Sequence, residues 1–313
     1  MNQLALPNLL VPGVGKSGTS SMFWYLSQHP DICPADKKEV NYFKALRFEE
    51  EPTVPVVSTE QYATHFSHCT GQRYRLDASQ LYFDGGPRVR AAVKRHFADP
   101  KILPILRDPV DRLFSSYLSS KNLGTLAPST TFRVFFDDCT RLRRTREDLL
   151  KKNGRYRALR TSYYIEHACA WFDEFEDVRI VFFEHMVEDP RQFVTEICEW
   201  LRIDVDPVCD IDFTHRNKTV GHRSRTLFRL ANKMNLQLDR GVRFGPRTKR
   251  ALRSVYWALN ATEKRERLTA ADRARAEEFF APSNAALRQE LRRRGYRRLP
   301  PWLSDASRHV SVE

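Results

Sequence analysis

Residues 13–20 combine glycines, a lysine and hydroxyl side chains in one short run, Gly-Val-Gly-Lys-Ser-Gly-Thr-Ser. Glycines let successive backbone N–H groups turn into one concavity, and the lysine adds a full positive charge. An apolar run at residues 9–14 predicts a buried strand, and residues 20–28 have helical character. The N-terminus of a helix in this position adds partial positive charge. The segment therefore predicts a site for a phosphate or a similar anion.

The phosphate loop of nucleotide triphosphatases, which reads G-x-x-x-x-G-K-[ST], is only partly present. Gly15, Lys16 and Ser17 match its end, but its first glycine would fall at Leu10. No clear apolar strand ends in an aspartate suited to hold Mg²⁺ for ATP. A P-loop small-molecule kinase is therefore a disfavoured alternative, and a glycine turn capped by serine is the structural alternative.

Strands and helices alternate along the chain as far as Pro207. The predicted strands are residues 9–14, 74–76, 102–106 and 178–183, and the predicted helices are residues 20–28, 88–97, 110–120, 164–175 and 193–201. This alternation is typical of a parallel sheet with helices on both faces. We therefore expect one α/β domain over residues 1–313, with a basic, mostly helical part from about residue 211. Within that part, residues 268–294 predict one long charged helix.

The chain has 313 residues, is 41% hydrophobic and carries a net charge of +13. It is long enough to bury a sizeable core, and its charge suits an anionic partner. Arginine-rich stretches at residues 216–254 and 291–298 leave a non-enzymatic nucleic-acid or heparin-binding module as a second alternative, although no signature of such a module is present. No apolar run approaches about eighteen residues, and no signal peptide is evident. We expect no transmembrane segment and a cytoplasmic protein if Met1 is the native start, or a Golgi-lumenal one only if a membrane anchor was removed.

The six cysteines form no C-x-x-C pair, and their spacing fits no zinc module. We expect reduced, mostly buried thiols and no metal site. A disulfide that involves Cys198 or Cys209 is the alternative.

Three segments together resemble a known family. They are Gly13-x-x-Lys16-x-Gly18-Thr19-Ser20, then residues 26–30 (Leu-Ser-Gln-His-Pro) with residues 38–43 (Lys-Glu-Val-Asn-Tyr-Phe), and residues 101–117 around Arg107-Asp108-Pro109. They resemble the carbohydrate sulfotransferases that use 3′-phosphoadenosine 5′-phosphosulfate (PAPS), and within these the heparan sulfate sulfotransferase group. The resemblance implies a P-loop-like α/β sulfotransferase fold. It also implies transfer of a sulfuryl group from PAPS to a hydroxyl of a saccharide or small natural product, with PAP as the other product.

The resemblance also assigns the donor-binding residues. In the first loop these are Gly15, Lys16, Ser17, Gly18, Thr19 and Ser20, which would bind the 5′-phosphosulfate end. Arg107 and Ser115 would hold the 3′-phosphate, since an arginine fork takes two phosphate oxygens and a serine eight residues later lies on the same side of the following helix. Lys218 and Arg223 would cover the donor from a basic loop whose structural alternative is simple solvation. No metal is implied, because a sulfuryl group carries less charge than a phosphoryl group.

Glu39 is the candidate base for the acceptor hydroxyl, and Lys16 would stabilise charge on the leaving oxygen. Both roles come from the resemblance, and a solvated surface glutamate beside Lys37 and Lys38 is the alternative for Glu39. The alternative bases are histidines in the same half of the chain, namely His29, His65 and His68, of which His29 is expected to help a turn.

The sequence departs from the family pattern at two positions. The family often has an acidic-Lys-Ser/Thr-Pro stretch near the acceptor, but residues 77–80 read Asp-Ala-Ser-Gln, so Ala78 replaces the lysine. Its role is lost or passes to another residue such as Lys38 or Arg75. Asn41 stands where the relatives most similar in this motif have histidine. Both departures bear on the acceptor and leave its identity open.

Overall fold

The structure is a computed structural model that describes residues 4–48, 58–214, 221–222, 261–262 and 266–304. The strands of its parallel sheet are β1 (Leu9–Leu10), β2 (Ile32–Pro34), β3 (Tyr74–Asp77), β4 (Lys101–Ile102), β5 (Ile105–Leu106) and β6 (Val181–Phe182). The order is β2-β3-β1-β4, and β5 pairs with β6, with every pair parallel. A separate antiparallel pair joins β7 (Gly221–His222) to β8 (Ala261–Thr262).

Helices connect and cover these strands. They are α1 (Thr19–Leu26), α2 (Thr59–Ala63), α3 (Gly86–His96), α4 (Pro109–Asn122), α5 (Phe132–Arg144), α6 (Ala158–Ser162), α7 (Tyr164–Glu174), α8 (Phe183–Glu188), α9 (Pro190–Leu201) and α10 (Ala270–Arg293). Short 3₁₀ helices lie at Lys44–Arg47, Thr64–Phe66, Glu147–Leu149, Lys151–Arg157, Asp206–Asp210 and Pro301–Leu303. The predicted α/β fold is confirmed, and the long helix predicted at residues 268–294 is α10.

The strand predicted at residues 102–106 is divided into β4 and β5, because Pro104 has no N–H with which to continue the ladder. The chain still runs beside its neighbours on both sides of the interruption. The Ile105 amide donates to the Gly13 carbonyl at 2.9 Å, and the Pro104 carbonyl accepts from the Val181 amide at 3.0 Å. The two ladders therefore continue one twisted parallel sheet.

Successive residues of β1 point to opposite faces of the sheet, as strand geometry requires. Leu9 packs in a core cluster with Ile197 of α9, whereas Leu10 packs in a second cluster with Trp171 of α7. A third cluster lies between α4, α5 and α10 around Tyr117. Helices cover both faces, which is the layered arrangement that the alternation of elements predicts.

The segments that carry the predicted chemistry leave the sheet at one edge. The phosphate loop follows β1, residues 35–43 follow β2, residues 78–80 follow β3, and Arg107 follows β5. Because the carboxyl ends of parallel strands share an edge, segments that are distant in sequence converge there. Ligands of open α/β sheets bind in the crevice outside this edge.

The expectation of reduced cysteines is wrong for two of them. Cys33 in β2 and Cys69 form a disulfide across a sequence separation of 36 residues. Their Cα atoms lie 5.8 Å apart, within the range that a disulfide can bridge. The other four cysteines, which include Cys198 and Cys209, are free. Sequence spacing gave no sign of this pair because the contact depends on how the chain after α2 returns to β2.

Among the described residues no helix is long and apolar enough to cross a membrane. The assignment of the whole chain to one domain stays a prediction.

Candidate active site

Gly18, the residue directly before α1, has a conformation that only glycine adopts easily. Its φ is +85°, and a Cβ there would lie 2.5 Å from Met186 Cε and 2.7 Å from Phe183 Cδ2. The helix starts without a side-chain cap and without an acidic residue in its first turn. The first amide groups of an α-helix have no partner within the helix, so an anion can take that place.

The residues of the phosphate loop differ in how far they are exposed. Those with partly exposed side chains or backbone are Gly15, Lys16, Gly18 and Ser20. Ser17 and Thr19 are buried, and the Ser17 hydroxyl has no hydrogen-bond partner among the residues that the structure describes. The predicted contact of Ser17 with a donor is therefore not open to its buried hydroxyl.

The charge of Lys16 is influenced by two neighbouring arginines and one carboxylate. Burial lowers the pKa of its amine, Arg112 and Arg107 lower it further, and Glu39 opposes them by raising it. The amine is therefore held among like charges that an incoming anion would offset. Of the two predicted catalytic residues, Glu39 therefore acts on Lys16 through its charge, and both lie in segments at the same edge of the sheet.

Arg107 is joined to the phosphate loop by its own side chain. Its Nη1 donates to the Lys16 carbonyl at 3.1 Å, and its Cζ lies 4.7 Å from the centroid of the Phe183 ring. The side chain stays about a quarter exposed, at 24%. Ser115 is half-buried in α4, the helix that Asp108 caps directly after Arg107. The predicted pair thus belongs to one strand end and the helix that follows it.

Arg112 is a site residue to which the sequence analysis gave no role. It is 2% exposed, and its Nε donates to the Ser162 hydroxyl at 2.7 Å while its Nη1 donates to the Gly15 carbonyl at 3.2 Å. Its Nη2 donates to the Ala158 carbonyl. Arg112 thereby fixes the phosphate loop to α6. The available signal was its place within residues 101–117, one helical turn after Asp108.

A buried ionic network that the sequence analysis also missed lies next to Arg112. The Asp84 carboxylate accepts from Arg47 at 2.8 Å, from Arg157 at 3.0 Å and from the Thr161 hydroxyl at 2.7 Å. Burial alone would raise the pKa of Asp84, but the two guanidinium groups outweigh it and hold the pKa well below its usual range. The network fixes the 3₁₀ helix Lys151–Arg157 beneath the loop.

A cavity of about 280 Å³ opens beside Lys16. Its polar lining includes Lys16, Gln80, Ser116, Ser119, Ser120 and Arg155. Neither Arg107 nor Ser115 lines it. A larger cavity of about 560 Å³ between β6, α9 and the end of α10 contains none of the predicted site residues. The smaller cavity therefore offers space for a second ligand next to the anion loop.

Glu39 lies in a segment with unusual backbone geometry. Glu39 and Asn41 have φ values of +64° and +55°. The Asn41 side-chain amide donates to the Glu39 carbonyl at 3.1 Å, which stabilises this turn, and asparagine tolerates the left-handed region well. The Glu39 carboxylate lies 2.6 Å from Lys38 Nζ and is 31% exposed. It is thus accessible to a second molecule.

Buried hydrogen bonds attach the turn of Glu39 to β3. The backbone N–H of Asn41 donates to Ser79 Oγ at 2.9 Å, and Ser79 Oγ donates to Asp77 Oδ1 at 2.6 Å. The Tyr62 hydroxyl donates to the other carboxylate oxygen at 2.7 Å. Burial raises the pKa of Asp77, whereas these two hydroxyl donors lower it. The network orients the turn and leaves Glu39 itself outside the core.

The position without the family lysine lies inside the protein, since Ala78 is only 1% exposed. Of the two residues considered as replacements, Lys38 contacts the Glu39 carboxylate, as described above. Arg75 instead donates to the Leu6 carbonyl at 2.5 Å. The structure therefore favours Lys38 as the cation beside Glu39.

The histidines considered as alternative bases have other partners. His29 Nε2 lies 2.8 Å from the Asp204 carbonyl, and its Nδ1 accepts from the Asp31 amide at 3.1 Å, as befits a residue that stabilises a turn. His65 pairs with Asp36 at 2.6 Å. His68 lies beside the disulfide, with Nε2 3.4 Å from Cys33 Sγ.

Two predicted donor-binding residues, Lys218 and Arg223, lie outside the described residues.

The sequence model of the sulfotransferase domain family matches residues 6–225, which is more than half of the chain. The chain belongs to the sulfotransferase domain family. The matched region contains the phosphate loop, Glu39, Arg107 and Ser115. This membership favours the sulfotransferase interpretation over the kinase and over a basic binding module.

Curated relatives share parts of the chain. The membrane-associated sulfotransferase kil1 of Dictyostelium discoideum is 34% identical over 120 residues, which cover 36% of this chain and 23% of that protein. The bifunctional heparan sulfate N-deacetylase/N-sulfotransferase of Drosophila melanogaster is 22% identical over 331 aligned positions, covering 96% of this chain and 27% of that protein. Mouse heparan sulfate glucosamine 3-O-sulfotransferase 5 is 25% identical over 190 residues, which cover 59% of this chain and 50% of that protein. The chain thus spans only about a quarter to a half of these relatives.

One solved structure is similar over nearly the whole chain. The sulfotransferase from Alicyclobacillus acidocaldarius superposes with a TM-score of 0.67 at 25% identity, and covers 96% of this chain and 100% of that chain. This likeness confirms the sulfotransferase fold.

Proposed function

We propose that this protein transfers a sulfuryl group from PAPS to a hydroxyl of a carbohydrate or glycoconjugate acceptor. The observation that carries the proposal is the position of the Lys16 amine, whose charge is influenced by Arg107, Arg112 and the Glu39 carboxylate, in a chain of the sulfotransferase domain family. Cations around an anion loop bind the donor, and an accessible carboxylate beside them can take a proton from the acceptor.

The donor would lie across the carboxyl edge of the sheet. The 5′-phosphosulfate occupies the loop from Gly15 to Ser20 at the start of α1, where free amide groups and Lys16 meet it. The 3′-phosphate binds the Arg107 guanidinium and the Ser115 hydroxyl. Arg112 does not contact the donor in this arrangement. It holds the Gly15 carbonyl and so keeps the concavity in shape.

The reaction is a direct displacement at sulfur. The acceptor oxygen forms a bond to sulfur while the bond between sulfur and the 5′-phosphate oxygen breaks, and PAP leaves with the electron pair. Glu39 accepts the acceptor proton through its carboxylate. Lys16 stabilises the negative charge that develops on the leaving oxygen. The site holds both substrates in line, which supplies a large share of the rate. In this proposal no step passes through a metal ion.

The acceptor would bind in the 280 Å³ cavity beside Lys16. Glu39 does not line that cavity, so the reacting hydroxyl would extend past Lys16 to its carboxylate. Serine hydroxyls from α4, the Gln80 amide and the Arg155 guanidinium line that cavity, and such groups pair with sugar hydroxyls and carboxylates. Two of the relatives reported above are named for action on heparan sulfate, which supports a saccharide as the acceptor.

The test is transfer of radiolabelled sulfuryl from PAPS to heparosan oligosaccharides, with separation of labelled saccharide from free sulfate. The proposal predicts labelled saccharide and one PAP for each sulfate transferred. Lys16→Met should abolish the label, whereas Lys94→Met, on the solvent side of α3, should leave it unchanged. Release of PAP with no labelled saccharide would contradict the carbohydrate acceptor. Absence of any PAPS turnover would contradict the activity itself.

A further inference from the structure

The disulfide between Cys33 and Cys69 lies immediately before the segment that carries Glu39. Cys33 belongs to β2, whose end leads directly into residues 35–43. We propose that this disulfide is a thiol-exchange site, at which a small thiol attacks Cys69 and releases the Cys33 thiolate next to His68. The exchange chemistry stands apart from the proposed function, and only its effect on Glu39 rests on that function.

Accessibility determines which sulfur a thiol can reach. Cys33 is 5% exposed, whereas Cys69 is only partly buried and follows the exposed His68. A thiolate attacks a disulfide sulfur through a mixed disulfide, and access selects the sulfur that is attacked. The attacking thiol therefore bonds to Cys69 Sγ, and Cys33 is the leaving sulfur.

His68 is placed to stabilise the leaving sulfur. Its Nε2 lies 3.4 Å from Cys33 Sγ and 3.1 Å from the Pro34 carbonyl. A carbonyl only accepts, so the hydrogen bond to Pro34 requires a proton on Nε2, and Cys33 Sγ lies within reach of the same N–H. Hydrogen bonds to a thiolate favour its release, and a better leaving thiolate speeds exchange.

The exchange balances with an ordinary thiol as the reductant. A first thiolate forms a bond to Cys69 Sγ as the bond between the two cysteine sulfurs breaks, and Cys33 leaves as a thiolate. A second thiolate attacks the bound thiol, which departs as the symmetric disulfide and releases Cys69. Two thiols are oxidised to one disulfide, and the protein disulfide is reduced to two thiols.

The other buried cysteines are poor competitors for this chemistry. Burial raises the thiol pKa of Cys139, and it raises that of Cys198 to about 12, so neither supplies a thiolate near neutral pH. Cys209 is exposed. Cys169 is half-buried, and burial raises the pKa of its thiol. A Cys209→Ser background therefore removes the most exposed of the free thiols without touching the pair.

Reduction would release one of the ties on the segment after β2. The Asp36 amide donates to the His65 carbonyl at 3.0 Å, in the 3₁₀ turn that precedes Cys69. The disulfide holds this turn and β2 together, so the Asp36 amide should open more often once the bond is broken. The Leu103 amide, which donates to Leu10 in the sheet at 2.8 Å, should not change.

The test treats the full chain in the Cys209→Ser background with glutathione and EDTA, then quenches with iodoacetamide for peptide mass mapping. The proposal predicts glutathione on Cys69 and the alkyl group on Cys33, and the reverse assignment would overturn it. His68→Gln should slow the loss of the disulfide about tenfold, because it removes one hydrogen bond to a charged group. In the matched control His65→Gln, the rate of disulfide loss should stay within about twofold of the native rate. Equal rates in both variants would remove the role of His68.

Hydrogen exchange tests the structural consequence without any turnover. The Asp36 amide should exchange at least about tenfold faster after reduction, with Leu103 as the internal control. Unchanged exchange at Asp36 would show that the disulfide does not hold the segment of Glu39.

Discussion

Arg107→Ala is expected to remove most of the preference of this protein for PAP over AMP. AMP carries the 5′-phosphate and lacks the 3′-phosphate, so the difference in binding free energy between the two ligands isolates the contact assigned to Arg107 and Ser115. Within the described part of the chain, the Arg107 side chain donates one hydrogen bond, to the Lys16 carbonyl, and its Nη2 lies 4.0 Å from an Asp111 carboxylate oxygen. It stays a quarter exposed at the edge of the sheet. Its remaining N–H groups can reach a phosphate.

The magnitude follows from the number of charged hydrogen bonds. A bidentate contact contributes two such bonds at about 1.5 kcal/mol each, so the expected loss is ~3 kcal/mol, or about a hundredfold in Kd. Arg107→Lys keeps the charge but loses the planar fork, and should cost about tenfold. AMP should bind the Arg107→Ala protein only slightly more weakly than the native protein, because only the tie to the loop is lost.

Calorimetric titration at one ionic strength measures the PAP and AMP affinities of the native protein and of each variant. Arg133→Ala is the matched control, since Arg133 is exposed on α5 and pairs with Asp272. An equal loss of affinity for PAP and for AMP in Arg107→Ala would refute the reasoning, because it would show that Arg107 acts only by holding the phosphate loop. An unchanged PAP affinity would refute it as well.

Three further changes test other parts of the account. Glu39→Gln should lower kcat about a thousandfold with PAP affinity unchanged, as expected for loss of a general base, while the exposed Glu278→Gln keeps full turnover. Retained turnover in Glu39→Gln would exclude Glu39 as the base. Asp84→Asn should lower the unfolding free energy by ~3–5 kcal/mol in urea at neutral pH, because two guanidinium groups lose their carboxylate. The pKa of Asp84 is lowered in the folded protein, so the carboxylate stabilises the fold fully above the ordinary carboxyl pKa. This stabilisation is lost as the pH falls through the pKa of the folded state. An equal loss of unfolding free energy in Asp84→Asn in strong acid would contradict this origin. Replacement of both Cys33 and Cys69 by serine should lower the unfolding free energy by ~4 kcal/mol, because the disulfide closes a loop of 36 residues in the unfolded chain. If the variant unfolds at the same urea concentration as the native protein, the disulfide does not restrict the unfolded chain.

Local patterns predicted the order of elements because each is encoded within a few residues. Glycines beside a lysine marked the loop after β1, and the apolar run before Arg107 marked the strand that ends there. The same reasoning predicted one continuous strand at residues 102–106, and this was wrong because Pro104 within that apolar run has no N–H. Hydrophobicity alone does not reveal where a ladder of hydrogen bonds is interrupted.

The sequence did not predict the buried residues that hold the site in place, because their contact partners are distant in the chain. Asp84 meets Arg157 across 73 residues, and Arg112 meets Gly15 across 97. In a chain with 52 basic residues, no local signal marks the few arginines that become buried. Only the packing of α4 and α6 against the phosphate loop singles them out.

The central claim is that this site binds a nucleotide by its 3′-phosphate and carries sulfuryl chemistry. Calorimetric binding of PAP, beside ADP and ATP with Mg²⁺, tests it most directly. The account predicts tight binding of PAP with little response to the other two nucleotides. Preference for ATP with Mg²⁺ over PAP would contradict it and would restore the kinase interpretation.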